Sequence, residues 1–401
     1  MWVGASEERE RVRSEFASRR GVSPVALACD GTHIPWKPKG KKLLMDPKAF
    51  VEALKTYDKD NSPEKYIKAI QKYIKNDKLR QVFSFHPLLV GGNPFQTTSI
   101  YSLICFLERK WGVHFPMGGT GALVRGLVDL IEGQGNAVRL NTTVKQILIE
   151  NGRATGVELA DGTQIGADIV VSNADSAFTY KHLIAPEHRR TWTDEKVDNS
   201  RFSMSLFVWY FGTSKQYEDV AHHTILLGPR YKGLLTDIFR DKHLAEDFSL
   251  YLHRPTATDP SLAPEGCDAW YVLSPVPHLD SDVDWKTQAE PYRQKVMKYL
   301  SKTIMPDLES NVTASHLLTP IGFRDELSSV KGAAFGMEPV LTQSAYFRPH
   351  NEAEDIDRLY LVGAGTHPGA GVPGVLSSAK VLERVIPDVA EIATVAHAPS
   401  R

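Results

Sequence analysis

Apolar residues recur at helical spacing early in the chain. Tyr66, Ile67, Ile70, Tyr73 and Ile74 lie opposite a lysine-rich face, which predicts a helix over 64–80. Residues 98–111 predict a second helix. A turn over 116–121 leads into a third, with Thr120 as its N-cap and Leu123, Leu127, Leu130 and Ile131 as its core-facing stripe. The pattern then shifts to strands. A short one is predicted over 138–140. Segments 144–150 and 154–159 flank Asn151-Gly152, a strong hairpin signal. Asp161-Gly162 marks another turn, and 167–174 reads as a buried strand leaving the hairpin. Segment 203–211 is apolar at successive positions, so it predicts a strand covered on both faces or lining an apolar cavity. Near the end, 359–375 predicts a buried strand, a glycine-dense turn and a helix start, with the closing helix ended by Pro387.

This order predicts an α/β chain with an antiparallel excursion. With 401 residues it has room for two or three domains. Lys+Arg is 47 and Asp+Glu is 48, so the chain has no bulk attraction toward nucleic acid, and no nucleic-acid partner is expected. Cys29, Cys105 and Cys267 are too scattered for a disulfide framework or a metal knuckle, which favours a reducing, intracellular setting. No apolar run reaches the ~18 residues of a membrane span. A soluble or peripheral protein is expected.

The chemistry concentrates in Gly363-Ala364-Gly365 and Gly371-Val372-Pro373-Gly374. Glycines let backbone N–H groups come close to a bound group, and a helix N-terminus favours a phosphate or an anionic ring edge. That makes one half of a dinucleotide site. The other half, a strand followed by G-x-G-x-x-G, is not found in residues 1–65, whose glycines are Gly4, Gly21, Gly31 and Gly40.

Several longer segments carry a resemblance. They are LRQVFSFH at 79–86, LVGGNP at 89–94, FPMGGTGAL at 115–123, VSNAD at 171–175 and LYLVGAGTHPGAGVPGV at 359–375. With these the chain resembles the bacterial and fungal phytoene desaturases, FAD-dependent carotenoid desaturases of the flavin amine-oxidase superfamily, from about 65 to 386. The resemblance implies an incomplete FAD-binding, Rossmann-like domain with a discontinuous α+β substrate domain. Its expected parts are an atypical segment and linker over 1–62 and a helical part of the substrate domain over 63–119. A FAD-domain segment with a hairpin follows over 120–175, then the substrate domain over 176–320. A second FAD-domain segment over 321–390 and a tail over 391–401 complete the chain.

By the same resemblance Gly363, Ala364 and Gly365 approach the ribityl and pyrophosphate of FAD. Gly371, Val372, Pro373 and Gly374 start the helix beneath the isoalloxazine, Val144 touches the adenine through its backbone, and Ser172-Asn173-Ala174 re-enters the FAD domain. The implied reaction removes hydride from an apolar polyene such as phytoene. It implies a peripheral membrane contact, on a plastid or cytoplasmic membrane, and an electron acceptor such as quinone or oxygen. Without the early glycine loop, FAD is expected to be held weakly, and the sheet is expected to lack its first strands, leaving their apolar partner faces exposed or differently covered. The competing reading is a catalytically inactive relative or fusion product; an amine oxidase proper would need an aromatic cage that the sequence does not identify. Residues 26–35, ALACDGTHIP, resemble a fragment of transposon-derived DDE endonucleases, with Asp30 as a first metal ligand; lacking the other carboxylate regions, they read as a fused fragment.

Other candidates have two readings each. His367 touches the ring or substrate, or fixes its own loop. Arg80 sits near the substrate, or pairs with Asp77 at i,i+3 on a solvated face. Asp237 is a catalytic acid or base with a raised pKa, or a surface carboxylate. His86 reads as a satisfied core histidine. His222-His223 look like a metal pair, but adjacent strand or helix residues point apart, so they read as structural and no metal is expected. Phe207, Trp209, Tyr210 and Phe211 suit a polyene, or plain core.

Overall fold

The computed structural model describes residues 74–388 together with Ile67, Ile70 and Gln71. Residues 61–386 form one compact unit. The expectations for 1–62, including Asp30, and for the tail over 391–401 lie outside the described residues.

Among the described residues, Ile67, Ile70 and Gln71 are helical and are followed by α1 (Asp77–Ser84), α2 (Ser102–Trp111) and α3 (Gly119–Gly133). Helix at Ile67, Ile70 and Gln71 is as the periodicity predicts, but 74–76 are not helical; α1 starts afresh after Asn76, its cap, whose Oδ1 accepts the Leu79 N–H at 3.1 Å. α2 lies where predicted. At α3 the cap is Gly118 rather than Thr120, which falls inside the first turn. Gly118 has φ 81, and its N–H is taken by Asp259 Oδ2 at 2.6 Å. The proposed core stripe of α3 is not buried, since Leu123 and Leu127 are 42% and 44% exposed. Residues 138–140 form no strand, and Leu140 stands in solvent.

The predicted hairpin forms. β1 (Val144–Glu150) and β2 (Arg153–Leu159) pair antiparallel, and β3 (Gln164–Gly166) joins β2. Asn151 and Gly152 have φ of 51° and 78°, the positive values that a two-residue turn matched to strand twist requires. The strand that leaves the hairpin is shorter than predicted: β4 covers only Val170–Ser172.

A five-stranded antiparallel sheet follows. Its strands are β5 (Ser205–Thr213), β6 (His223–Leu226), β7 (Leu250–His253), β8 (Asp268–Val276) and β9 (Val312–Leu318), in the order β6-β7-β8-β5-β9. β5 is the strand predicted to be covered on both faces, and it is. Phe207, Trp209 and Phe211 pack with Trp270 and with Trp285 and Leu300 of α4 (Trp285–Thr303). Leu206 and Val208 face the other way, against Leu234, Ile238 and Phe323. The aromatic cluster is therefore core, except Tyr210, which is 41% exposed.

β10 (Leu359–Leu361) returns to pair in parallel with β4 and leads to α5 (Val372–Val385). Leu359, Leu361 and Val170 sink into a third apolar cluster with Ile147, Tyr180 and Trp192. Among the described residues β4 has a ladder partner only at β10, and Val171 is 44% exposed.

Candidate functional site

The glycine loop starts where β10 ends. Its glycines are set first by the protein's own packing. Gly363 has φ 101, and a Cβ there would stand 2.5 Å from Asn173 Oδ1. A Cβ on Gly365 would stand 2.5 Å from Ser176 Oγ and 2.8 Å from its backbone nitrogen. The chain after β4 thus presses on the underside of the loop, and only bare backbone fits between.

Buried polar side chains then fix the loop. Ser378 of α5 accepts the Gly363 N–H at 2.8 Å. Ser176 Oγ donates to the Gly365 carbonyl at 2.9 Å. Arg348, almost fully buried, donates to the carbonyls of Ala364 at 3.2 Å and Met337 at 3.0 Å. Asn351 Nδ2 donates to Leu361 O at 3.1 Å and His367 O at 3.0 Å. The sequence reading did not single out Arg348, Asn351 or Ser378 as supports, because polar residues far apart in sequence carry no spacing signal.

Asp175 caps the turn Ser176–Phe178, Oδ1 accepting the Phe178 N–H at 2.9 Å. Desolvation pushes its carboxyl up to about 6, against the opposing pull of backbone amides and the Arg348 charge.

At the far end of the loop Gly371 is the N-cap of α5, with Pro373 in the first turn and no side-chain cap among the described residues. Such an end suits an anion or an electron-rich ring edge. His367 lies between the two glycine groups. Its Nδ1 is buried without a hydrogen-bond partner among the described residues, and burial lowers its pKa. A rigid, side-chain-free backbone ending in an uncapped helix fits one face of a dinucleotide cofactor. Val144 opens β1 opposite Leu159 and is half-buried, on a different sheet from the loop.

Two candidates lie elsewhere. Arg80 donates to the Ile74 carbonyl at 2.7 Å and to Asp77 at 2.6 Å, the i,i+3 pair of the plainer reading. Asp237 pairs with Arg230 at 2.9 Å, which also holds Asp247 at 2.5 Å, beside an open groove of about 450 Å³. A carboxylate already matched by a guanidinium is poorly placed as a catalytic acid or base. His86 pairs through Nε2 with Glu108 at 3.4 Å, and its ring is also hydrogen-bonded to the Phe83 backbone.

His222 and His223 do not point apart as adjacent strand residues would. His222 lies just before β6, outside the strand, and its ring turns to the same side as His223, with centroids 4.3 Å apart.

The flavin containing amine oxidoreductase family matches residues 42–381. The chain is 51% identical over 334 residues to the neurosporene-forming phytoene desaturase of Rhodobacter capsulatus, covering 82% of this chain and 64% of that one. It is 50% identical over 312 residues to the lycopene-forming phytoene desaturase of Pantoea ananas, covering 78% and 63%. The chain thus spans somewhat under two thirds of these relatives' length. Among solved structures, an oxidoreductase from Methanosarcina mazei aligns with TM-score 0.57 at 21% identity, over 86% of this chain and 74% of that one, a likeness of fold.

Proposed function

Because this chain belongs to the flavin containing amine oxidoreductase family, we propose that it desaturates a long apolar polyene such as phytoene with FAD as cofactor. The observation that carries this reading is the braced glycine loop running from β10 into the uncapped start of α5. It occurs in a chain about half identical to phytoene desaturases.

In this reading Gly363, Ala364 and Gly365 offer their backbone to the ribityl and pyrophosphate. Gly371, Val372, Pro373 and Gly374 underlie the ring, and Val144 meets the adenine. FAD when bound supplies the two-electron acceptor for hydride removed from an allylic carbon. The protein's part is to hold the cofactor still, exclude water and align a hydrocarbon that has no polar handle. Arg348, Asn351, Ser176 and Ser378 hold the loop. Burial holds the His367 imidazole below its ordinary pKa, which favours the uncharged ring beside the cofactor loop. Quinone or oxygen would take the electrons onward.

A bilayer-dissolved substrate calls for contact with a membrane surface. No helix among the described residues is long and apolar enough to cross a membrane. The surface we favour for that contact is α2 and its ends, where Ile100, Leu103, Phe106, Trp111 and Val113 are each at least half exposed. Arg109 and Lys110 in its last turn suit anionic headgroups.

The test is to incubate the 401-residue chain with excess FAD and phytoene in lipid vesicles, then measure bound flavin and product conjugation separately. Bound flavin with a lengthened polyene is expected. Bound flavin with phytoene unchanged would favour the inactive relative, and failure of both would overturn the reading.

A further inference from the structure

We propose that His222, His223 and His253 form a site for a divalent transition metal of zinc type, at the outer edge of the five-stranded sheet. The fold brings the three rings together in two steps. His223 and His253 are direct cross-strand partners in the β6–β7 ladder, so both side chains leave the same face. His222 precedes the strand, and its carbonyl accepts the Arg254 N–H at 2.8 Å, which draws its ring over the same spot.

One ligating nitrogen from each ring lies within 4.8 Å of the other two. Donors on a tetrahedral zinc, at ~2.0–2.1 Å from the ion, stand roughly 3.4 Å apart. Small side-chain rotations therefore close the site. The Nε2 atoms of His222 and His253 are already 2.9 Å apart.

The outer partners are also in place. His222 Nδ1 is hydrogen-bonded to Thr258 Oγ1 at 2.5 Å, and His223 Nδ1 to Tyr251 Oη at 2.6 Å. In both rings this turns Nε2 toward the cluster, the arrangement that orients metal-bound histidines, and a bound metal would replace the hydrogen bond between His222 Nε2 and His253 Nε2. Phe115 closes one side, its ring 4.7 Å from that of His222. Three neutral nitrogens and no carboxylate suit zinc, copper or nickel better than calcium or magnesium. The fourth position is left to water or a small anion.

The competing account is a plain hydrogen-bonded histidine cluster. It is separated by dialysing the full chain, without an affinity tag, against Zn²⁺ and counting bound metal by mass spectrometry. About one zinc per chain is expected, together with the intense visible bands of tetrahedral Co²⁺ when cobalt replaces it. His223→Gln, at an exposed position, should weaken binding by about tenfold or more while the circular dichroism spectrum stays unchanged. His253→Gln should do the same. Wild-type chain that carries no zinc, or a His223→Gln variant that binds it as tightly as wild type, would overturn the proposal. Neither readout depends on flavin or polyene.

Discussion

Asp175 has a carboxyl whose native pKa, about 6, lies above its ordinary 3.8. Between these values the folded chain keeps a proton that the unfolded chain has released. Its contribution to stability is therefore complete below pH 3.8 and drains away as pH rises toward 6. Asp175→Asn retains an acceptor for the Phe178 N–H and cannot ionise. It should match wild type in acid and exceed it at neutral pH by up to roughly 3 kcal/mol, read from urea midpoints along a pH series. Arg348 works in the opposite sense. Arg348→Leu strips the donors from the Ala364 and Met337 carbonyls. A loss of roughly 2–5 kcal/mol is expected, measured by urea titration. At this scale the glycines were legible, since their density alone announces a backbone that something must approach. That the nearest approach is by Asn173 and Ser176 was not, because tertiary contact leaves no trace in spacing.

Among elements, local chemistry was read well where it decides the outcome. Asn151-Gly152 made the β1–β2 turn visible because few other pairs take two positive φ values at low cost. Gly152→Ala should lower stability by about 1 kcal/mol through that strain, seen in the thermal midpoint. Residues 138–140 and the stripe of α3 misled because apolar spacing reports what could be buried, and nothing among the described residues covers them. The helix predicted over 64–80 is interrupted at 74–76 since a capping asparagine there starts a new one and outweighs continuing periodicity. For α2, the double change Leu103→Glu with Phe106→Glu removes two outward apolar side chains one turn apart. If α2 meets the membrane, co-sedimentation with anionic vesicles should fall by about tenfold or more while the fold is kept. Unchanged co-sedimentation would place the contact elsewhere.

In the molecule as a whole, family and fold were legible because long motifs persist through 65–386, and the family match spans 42–381. The pairing of three histidines was not, because His253 lies thirty residues from the others and reaches them only through the β6–β7 register. One feature of the large sheet reaches further. β5 is hydrogen-bonded along both edges and sealed on both faces, whereas β10 is three residues long in a two-stranded ladder. In deuterated buffer the amides of Phe207, Trp209 and Phe211 should be among the last to exchange, by a route that needs global unfolding. Those of Leu359–Leu361 should exchange earlier, through local opening. The glycine loop is therefore tethered to a strand that opens before the large sheet does. Ligand occupancy should register as slowed deuterium uptake at β10 while β5 keeps the same clock.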